Sequence, residues 1–264
     1  MQPRSQAIRN DCSCLARQIK KSSFHVKGKG CSEIIVHHNG DRKSLGAQAY
    51  EFIRDAIVFL KFEPGQMVYE AEIANMLGMS RTPVREAFQK LFAEQLLAVL
   101  PQRGVKISLI SMEKVEEVRF VRESLEVSSF RKVAECWNDE DKRCKAAKRE
   151  IMRSLDHQRE AALERDHAAF LQWDEAFHHH ILSVTGNRTL MMMVSVIRGH
   201  LNRLRYLTLK EFNDMEELLD DHKRLFEAVR TNNVRLTVRL LERHLRKVSA
   251  RWEHVYRRFP HYFE

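Results

Sequence analysis

Four residues in the second half of the chain have side chains that bind cations. Asp174 and His178 are four apart and so share one face of a helix. Phe170, Phe177, Ile181 and Leu182 flank that face, which points it inward. His222 stands among Leu218, Leu219, Leu225 and Phe226, and His244 among Leu240, Leu241 and Leu245. Three imidazoles and one carboxylate converging from three helices suit a divalent ion with imidazole preference, zinc first, with nickel or manganese as alternatives. A histidine on an apolar helix face is more often a hydrogen-bonded core residue, and spacing alone favours that plainer account. His179 and His180, five and six residues beyond Asp174, rotate away from its face toward the surface. Met191, Met192 and Met193 read as adaptable core or dimer packing rather than a soft-metal site.

A second constellation is basic. Over 70–95, Ile73, Ala74 and Leu77 mark the buried face of one short helix, and Gly78 ends it. Ser80 is placed to cap the next helix, and Pro83 falls in its first turn, where no backbone donor is lost. In that second helix Val84, Ala87, Phe88, Leu91 and Phe92 form the apolar stripe, while Arg81, Thr82, Arg85 and Gln89 lie off it. Arginines and a hydroxyl at the N-terminal end of a docked helix are the groups that read a DNA major groove. An ordinary helical hairpin with a solvated basic face has the same spacing.

The elements around this pair favour DNA. Leu45, Ala49, Phe52, Ile53, Ala56, Ile57 and Leu60 trace a preceding amphipathic helix that packs behind it, followed by a turn at Glu63-Pro64-Gly65. Two strand-like runs, 96–100 and 105–109, flank Pro101-Gln102-Arg103-Gly104. Three helices and a hairpin make a winged helix-turn-helix, and Arg103 at the wing tip has a route to phosphate or the minor groove.

Composition agrees. The 264 residues carry a formal charge of +9 and 44% hydrophobic residues, enough for two domains with real cores and an anionic partner. No apolar run approaches the roughly 20 residues that span a bilayer, and the N-terminus lacks a secretory signal, so a cytoplasmic protein with no membrane partner is expected. Five irregularly spaced cysteines do not form a disulfide framework. The stretch 1–44 reads as a mobile basic arm; its Cys12, Cys14, Cys31, His25, His37 and His38 match no common zinc spacing. Beyond 110, apolar periods of 3.6 residues predict helices over 111–136, 139–165, 167–185, 189–210, 214–230 and 233–258.

The expected fold is therefore mainly α. An N-terminal winged helix-turn-helix (45–110) precedes an antiparallel all-helical bundle of six to seven helices (111–258), with a tail at 259–264.

Pro64-Gly65, the octet Ser80-Arg81-Thr82-Pro83-Val84-Arg85-Glu86-Ala87, and Pro101-Gln102-Arg103-Gly104 resemble the DNA-binding domain of GntR-type bacterial transcription regulators, in the FadR-like branch. Val121-Arg122-Glu123-Ser124-Leu125-Glu126 resembles the opening of that branch's helical ligand-binding domain, called FCD. The resemblance implies that Arg81, Thr82 and Arg85 touch operator DNA and that Arg103 and Gly104 enter the minor groove. It also implies a metal site, because Asp174, His178, His222 and His244 fall in order on the FCD pattern. Gln95 and Leu60 replace glycines usual in the family, and a left-handed backbone at Gln95 would cost about 1 kcal/mol.

A small organic acid completing the metal's coordination is the expected effector. Arg122 is the first choice to neutralise it, unless Arg122 merely pairs with Glu126; Asn187 either lines the pocket or caps the following helix. The expected protein is a homodimeric, effector-controlled DNA-binding regulator and not an enzyme. A metal-responsive sensor is the alternative, and a metal-dependent hydrolase a more distant one.

Overall fold

The computed structural model describes residues 43–101 and 104–264. Nearly all of the expected basic arm, and Arg103 at the wing tip, lie outside the described residues. The chain divides into two compact units: the first includes 65–108 and the preceding helix up to Ile57, and the second comprises 58–64 with 109–264.

In the first unit α1 (Leu45–Val58) leads to β1 (Met67–Val68), α2 (Glu70–Leu77), α3 (Arg81–Ala93), β2 (Leu97–Leu100) and β3 (Gly104–Ile107). Helices α2 and α3 pack on each other. Gly78, at φ 65°, ends α2 with Met79 N–H on Ala74 O, a left-handed stop that glycine accepts without strain. Ser80 precedes α3 in extended conformation, but its side chain makes no capping bond, contrary to expectation. The third helical position is Pro83, so one of the two amides such a cap serves has no proton. Val84, Ala87, Phe88 and Leu91 are buried, as their spacing requires. Tyr50 of α1 donates to Glu94 at the end of α3 (2.5 Å), and burial pushes the Tyr50 hydroxyl's pKa up.

The wing pairs β2 with β3 antiparallel, Leu97 opposite Ile107 and Leu100 opposite Gly104. A third strand goes beyond the expected hairpin: β1 adds to the other edge of β3, giving the order β1-β3-β2. Two residues are too few to show an alternating pattern. Both positions where this sequence lacks a family glycine are left-handed, Leu60 at φ 54° and Gln95 at φ 58°. At Gln95, Leu96 N–H bonds Leu91 O and Gln95 N–H bonds Phe92 O, the paired closure that usually carries glycine.

The second unit contains α4 (Met112–Cys136), α5 (Lys142–Glu164), α6 (His167–Ser183), α7 (Arg188–Phe212), α8 (Met215–Arg230), α9 (Val234–Ser249) and α10 (Trp252–Arg258). Asp141, Asp166 and Asn187 cap α5, α6 and α7 by accepting backbone N–H groups. Helix α4 packs against α6, α7, α8 and α9, which makes it central to the bundle. A core of Phe130, Ile151, Phe170, Phe177, Leu225 and Leu241 fills the interior.

Two features differ from the periodicity. The single helix expected over 233–258 is broken at Ala250-Arg251, where Arg251 lies 4.7 Å over the Phe212 ring and pairs with Asp214, and Trp252 turns into a second core with Ile110, Leu204, Val255 and Phe263. These contacts outweigh a continued helix. Likewise 259–264 packs: Pro260–Tyr262 form a 3-10 turn, Phe263 is buried and bridges Ile110, and Glu264 N–H bonds Ile110 O.

Candidate metal centre and nucleic-acid interface

Asp174 and His178, one turn apart on α6, His222 on α8 and His244 on α9 meet in the middle of the bundle. All four are buried, and one ligand atom from each lies within 4.8 Å of the others. His222 Nε2 is 3.4 Å from Asp174 Oδ1 and 3.3 Å from His244 Nε2. Donors bound to one ion at about 2 Å sit roughly 3 to 4 Å from one another, so this set needs only small shifts to close on a cation.

The surrounding residues decide which atoms face the centre. Gln158 donates from Nε2 to the Trp173 carbonyl (3.1 Å), which orients its amide so that Oε1 accepts from His222 Nδ1 (2.7 Å). The His222 proton is thereby held on Nδ1, and the Nε2 lone pair faces Asp174 and His244. Phe177 stacks on the His222 ring at 4.3 Å and fixes its plane. Glu126 Oε2 approaches His178 Nδ1 to 2.8 Å, off the line of a well-aligned hydrogen bond. His178 Nε2 and Asp174 Oδ1 are buried with no hydrogen-bond partner.

Orphaned acceptors facing a lone pair are costly in a dry core unless a cation joins them, so the donor set fits a divalent ion. Burial pushes His222 down to about 3 and holds His244 below the ordinary histidine value, so both stay neutral, as ligands must. Burial alone would raise the Asp174 carboxyl, but the Arg205 guanidinium beside it outweighs burial and holds it well below the usual range.

Beside His244 a small recess of about 20 Å³, room for roughly one water, is lined by Arg119, Arg122, Arg205, Glu123 and Trp252 among others. Arg122 binds Glu126 through Nε (2.7 Å), and both are buried, so the anticipated helix pair forms inside the bundle instead of on its surface. Arg205 binds Asp174. Asn187 is exposed and caps α7 through Leu190 N–H (3.0 Å), and it does not line this recess. His179 is exposed and His180 half-buried; Met191 packs against the core, whereas Met192 and Met193 are exposed.

Sequence reasoning missed Gln158, Arg205 and, as more than a salt-bridge partner, Glu126. Gln158 had a signal: it continues the α5 stripe of Ala147, Ile151, Ser154, Leu155 and Ala161, a polar residue on an apolar face. Arg205, among the leucines of α7, had none that distinguished it from its arginine neighbours.

On the other unit, Arg81, Thr82 and Arg85 are exposed at the N-terminal end of α3. Arg85 Nε lies 3.4 Å from Glu70 Oε2, a loose, solvated pair. Gly104, at φ 113°, starts β3 so close to Met67 that a Cβ there would come within 3.2 Å of the Met67 Cε. Among the described residues no helix is long and apolar enough to cross a membrane.

Comparison with known proteins matches residues 45–107 to "Bacterial regulatory proteins, gntR family" and residues 117–247 to "FCD domain". The HTH-type transcriptional repressor RspR of Escherichia coli K12 is 28% identical over 206 residues, 78% of this chain and 87% of its own. An uncharacterized HTH-type transcriptional regulator from an unstable DNA locus of Streptomyces ambofaciens is 29% identical over 214 residues, 81% of this chain and 87% of its own. Among solved structures, E. coli McbR/YncC superposes with a TM-score of 0.72 at 18% identity, covering 81% of this chain and all 100% of the other, a likeness of fold.

Proposed function

Because the chain belongs to the gntR family of bacterial regulatory proteins, with a helical FCD domain, and is a DNA-binding transcriptional regulator rather than an enzyme, we propose that a small organic acid bound beside a metal ion controls its affinity for operator DNA. Asp174, His178, His222 and His244 would hold the ion, zinc being favoured over nickel or manganese by three imidazoles and one carboxylate. Arg81, Thr82 and Arg85 would touch the operator from α3, with Arg103 and Gly104 in the minor groove. The active form would be a homodimer on a two-fold-related operator. Phe120 and Val121 on α4 and Met192, Met193 and Val196 on α7, two helices in mutual contact, supply exposed apolar surface for pairing.

One observation carries the effector reading: His244 of the four-residue cluster lines a recess together with Arg119, Arg122 and Arg205. Charge supports it. Of the four buried arginines among the described residues, Arg122, Arg198 and Arg205 are paired with the carboxylates Glu126, Glu175 and Asp174, while Arg203 contacts Leu109 O and His200. A divalent ion adds two uncompensated positive charges, and an anionic ligand offsets them. The acid would bind one of two dimer states more tightly and shift operator affinity by that difference.

The test is a fluorescence-anisotropy titration with DNA from beside the protein's own gene, run with metal-free protein, with zinc-loaded protein, and with zinc plus a panel of organic acids. The expected result is a change of about 5- to 150-fold on adding one acid to the zinc-loaded form. If zinc alone toggles affinity and no acid adds to it, the ion is the signal and the effector reading is wrong. Failure to bind that DNA at moderate salt would sink the local-operator claim.

A further inference from the structure

We infer that Trp252, at the start of α10, is a ligand-binding residue whose indole N–H donates to the carboxylate of the effector, an inference that rests on the organic-acid reading above. Trp252 lines the recess beside His244 and is 3% exposed, and its Nε1 has no hydrogen-bond partner. A buried N–H without an acceptor bears its full desolvation cost. Packing does not require that cost: the ring sits among Ile110, Val115, Leu204, Val255 and Phe263, where phenylalanine would serve. What tryptophan adds at this position is a donor.

The other polar groups lining the recess say what the donor is for. Arg119, Arg122 and Arg205 are donors only, and His244, with Nε2 turned to the metal centre, carries its proton on an unpartnered Nδ1 and is a donor too. The carboxylate among them, Glu123, is already taken, accepting from Arg119 Nη1 at 3.0 Å and from Arg246 Nε and Nη2 at 3.2 and 3.1 Å. The recess thus has a surplus of donors and calls for an acceptor-rich anion, which a carboxylate supplies with its two oxygens. In its present form it holds roughly one water, so a carboxylate enters only as the Glu123 links between α4 and α9 part. Arg246, the outer member of those links, has a side chain 63% exposed and is free to swing away. Trp252 also lies beyond the stretch matched to the FCD domain, which ends at 247.

The test uses the full-length, zinc-loaded protein labelled with ¹⁵N-tryptophan, whose three tryptophans give three indole signals. Acetate, glycolate and succinate are titrated in turn. The expected result is a downfield move of the Trp252 signal alone, since the Trp137 N–H already rests on Asp139 at 2.9 Å. Trp252→Phe is expected to weaken the binding of the same acid by about 10- to 100-fold, the worth of one hydrogen bond to a charged group, with zinc stoichiometry unchanged. Should that variant fold poorly, Trp137→Phe and Trp173→Phe assign the remaining signal by elimination, and the wild-type titration decides. An acid that binds wild type without moving the Trp252 signal, or binds Trp252→Phe equally well, overturns the role of Trp252 and leaves the organic-acid reading standing. If no carboxylate binds the wild type, both fall.

Discussion

Replacing Gln158 by leucine, a change that nearly conserves volume, separates the support of the metal centre from its ligands. Gln158 is fully buried and makes two bonds, one to the Trp173 carbonyl and one from His222 Nδ1. Leucine leaves both partners unpaired in the core, at about 1 to 3 kcal/mol each, so the metal-free protein should lose about 2 to 5 kcal/mol of stability. The second effect is on the ion. Without Gln158 nothing holds the His222 proton on Nδ1, and losing a partner that orients a histidine ligand lowers metal affinity by about 10- to 100-fold.

Zinc affinity would be measured by competition against a chromophoric chelator, at a temperature where circular dichroism shows the variant folded. Gln158→Glu is the control: its carboxylate still accepts from His222 Nδ1 but cannot donate to the Trp173 carbonyl, so zinc affinity should hold while stability falls. A zinc affinity for Gln158→Leu within twofold of wild type would refute the tautomer argument. Equal losses of affinity in both variants would refute it too.

Three further outcomes follow, two from the DNA-binding unit and one from the segment 58–64 of the other unit. Arg85→Ala is expected to weaken operator binding by about 1 to 3 kcal/mol relative to random DNA in parallel anisotropy titrations, with little effect on melting temperature because the Glu70 contact is exposed; equal losses on both DNAs would contradict base reading. Gln95→Gly relieves a left-handed backbone at an exposed position and should stabilise the protein by about 1 kcal/mol. Leu60→Gly, although it relieves the same strain, should destabilise in the same thermal melt, because Leu60 packs against the cluster of Ile110, Trp252 and Phe263.

Much of this architecture was legible because its signals are local. The octet from Ser80 to Ala87 combines a helix start, a proline where no donor is needed and an apolar stripe, all of which depend on neighbours a few residues away. The same holds for Asp174 and His178, whose shared face follows from helix geometry alone. Local signals also misled where a longer-range contact won. Periodicity ran one helix through Ala250 and Arg251, but the pull of Arg251 toward Asp214 and Phe212, and of Trp252 into the core, broke it.

By itself the sequence determined the mainly helical fold and the winged helix-turn-helix, since each rests on spacing along one helix or on a motif; the four residues that meet at the bundle centre were legible only through the FCD resemblance, because spacing alone favoured core histidines. Only the tertiary structure decided the centre's surroundings. Gln158 reaches His222 across 64 positions, and Arg205 reaches Asp174 across 31. It likewise turned the Arg122–Glu126 pair inward and set Trp252 beside His244. Hydrogen-bond partners so far apart in the chain are chosen by how helices pack, and no period along one helix specifies which polar side chains its neighbours will bring.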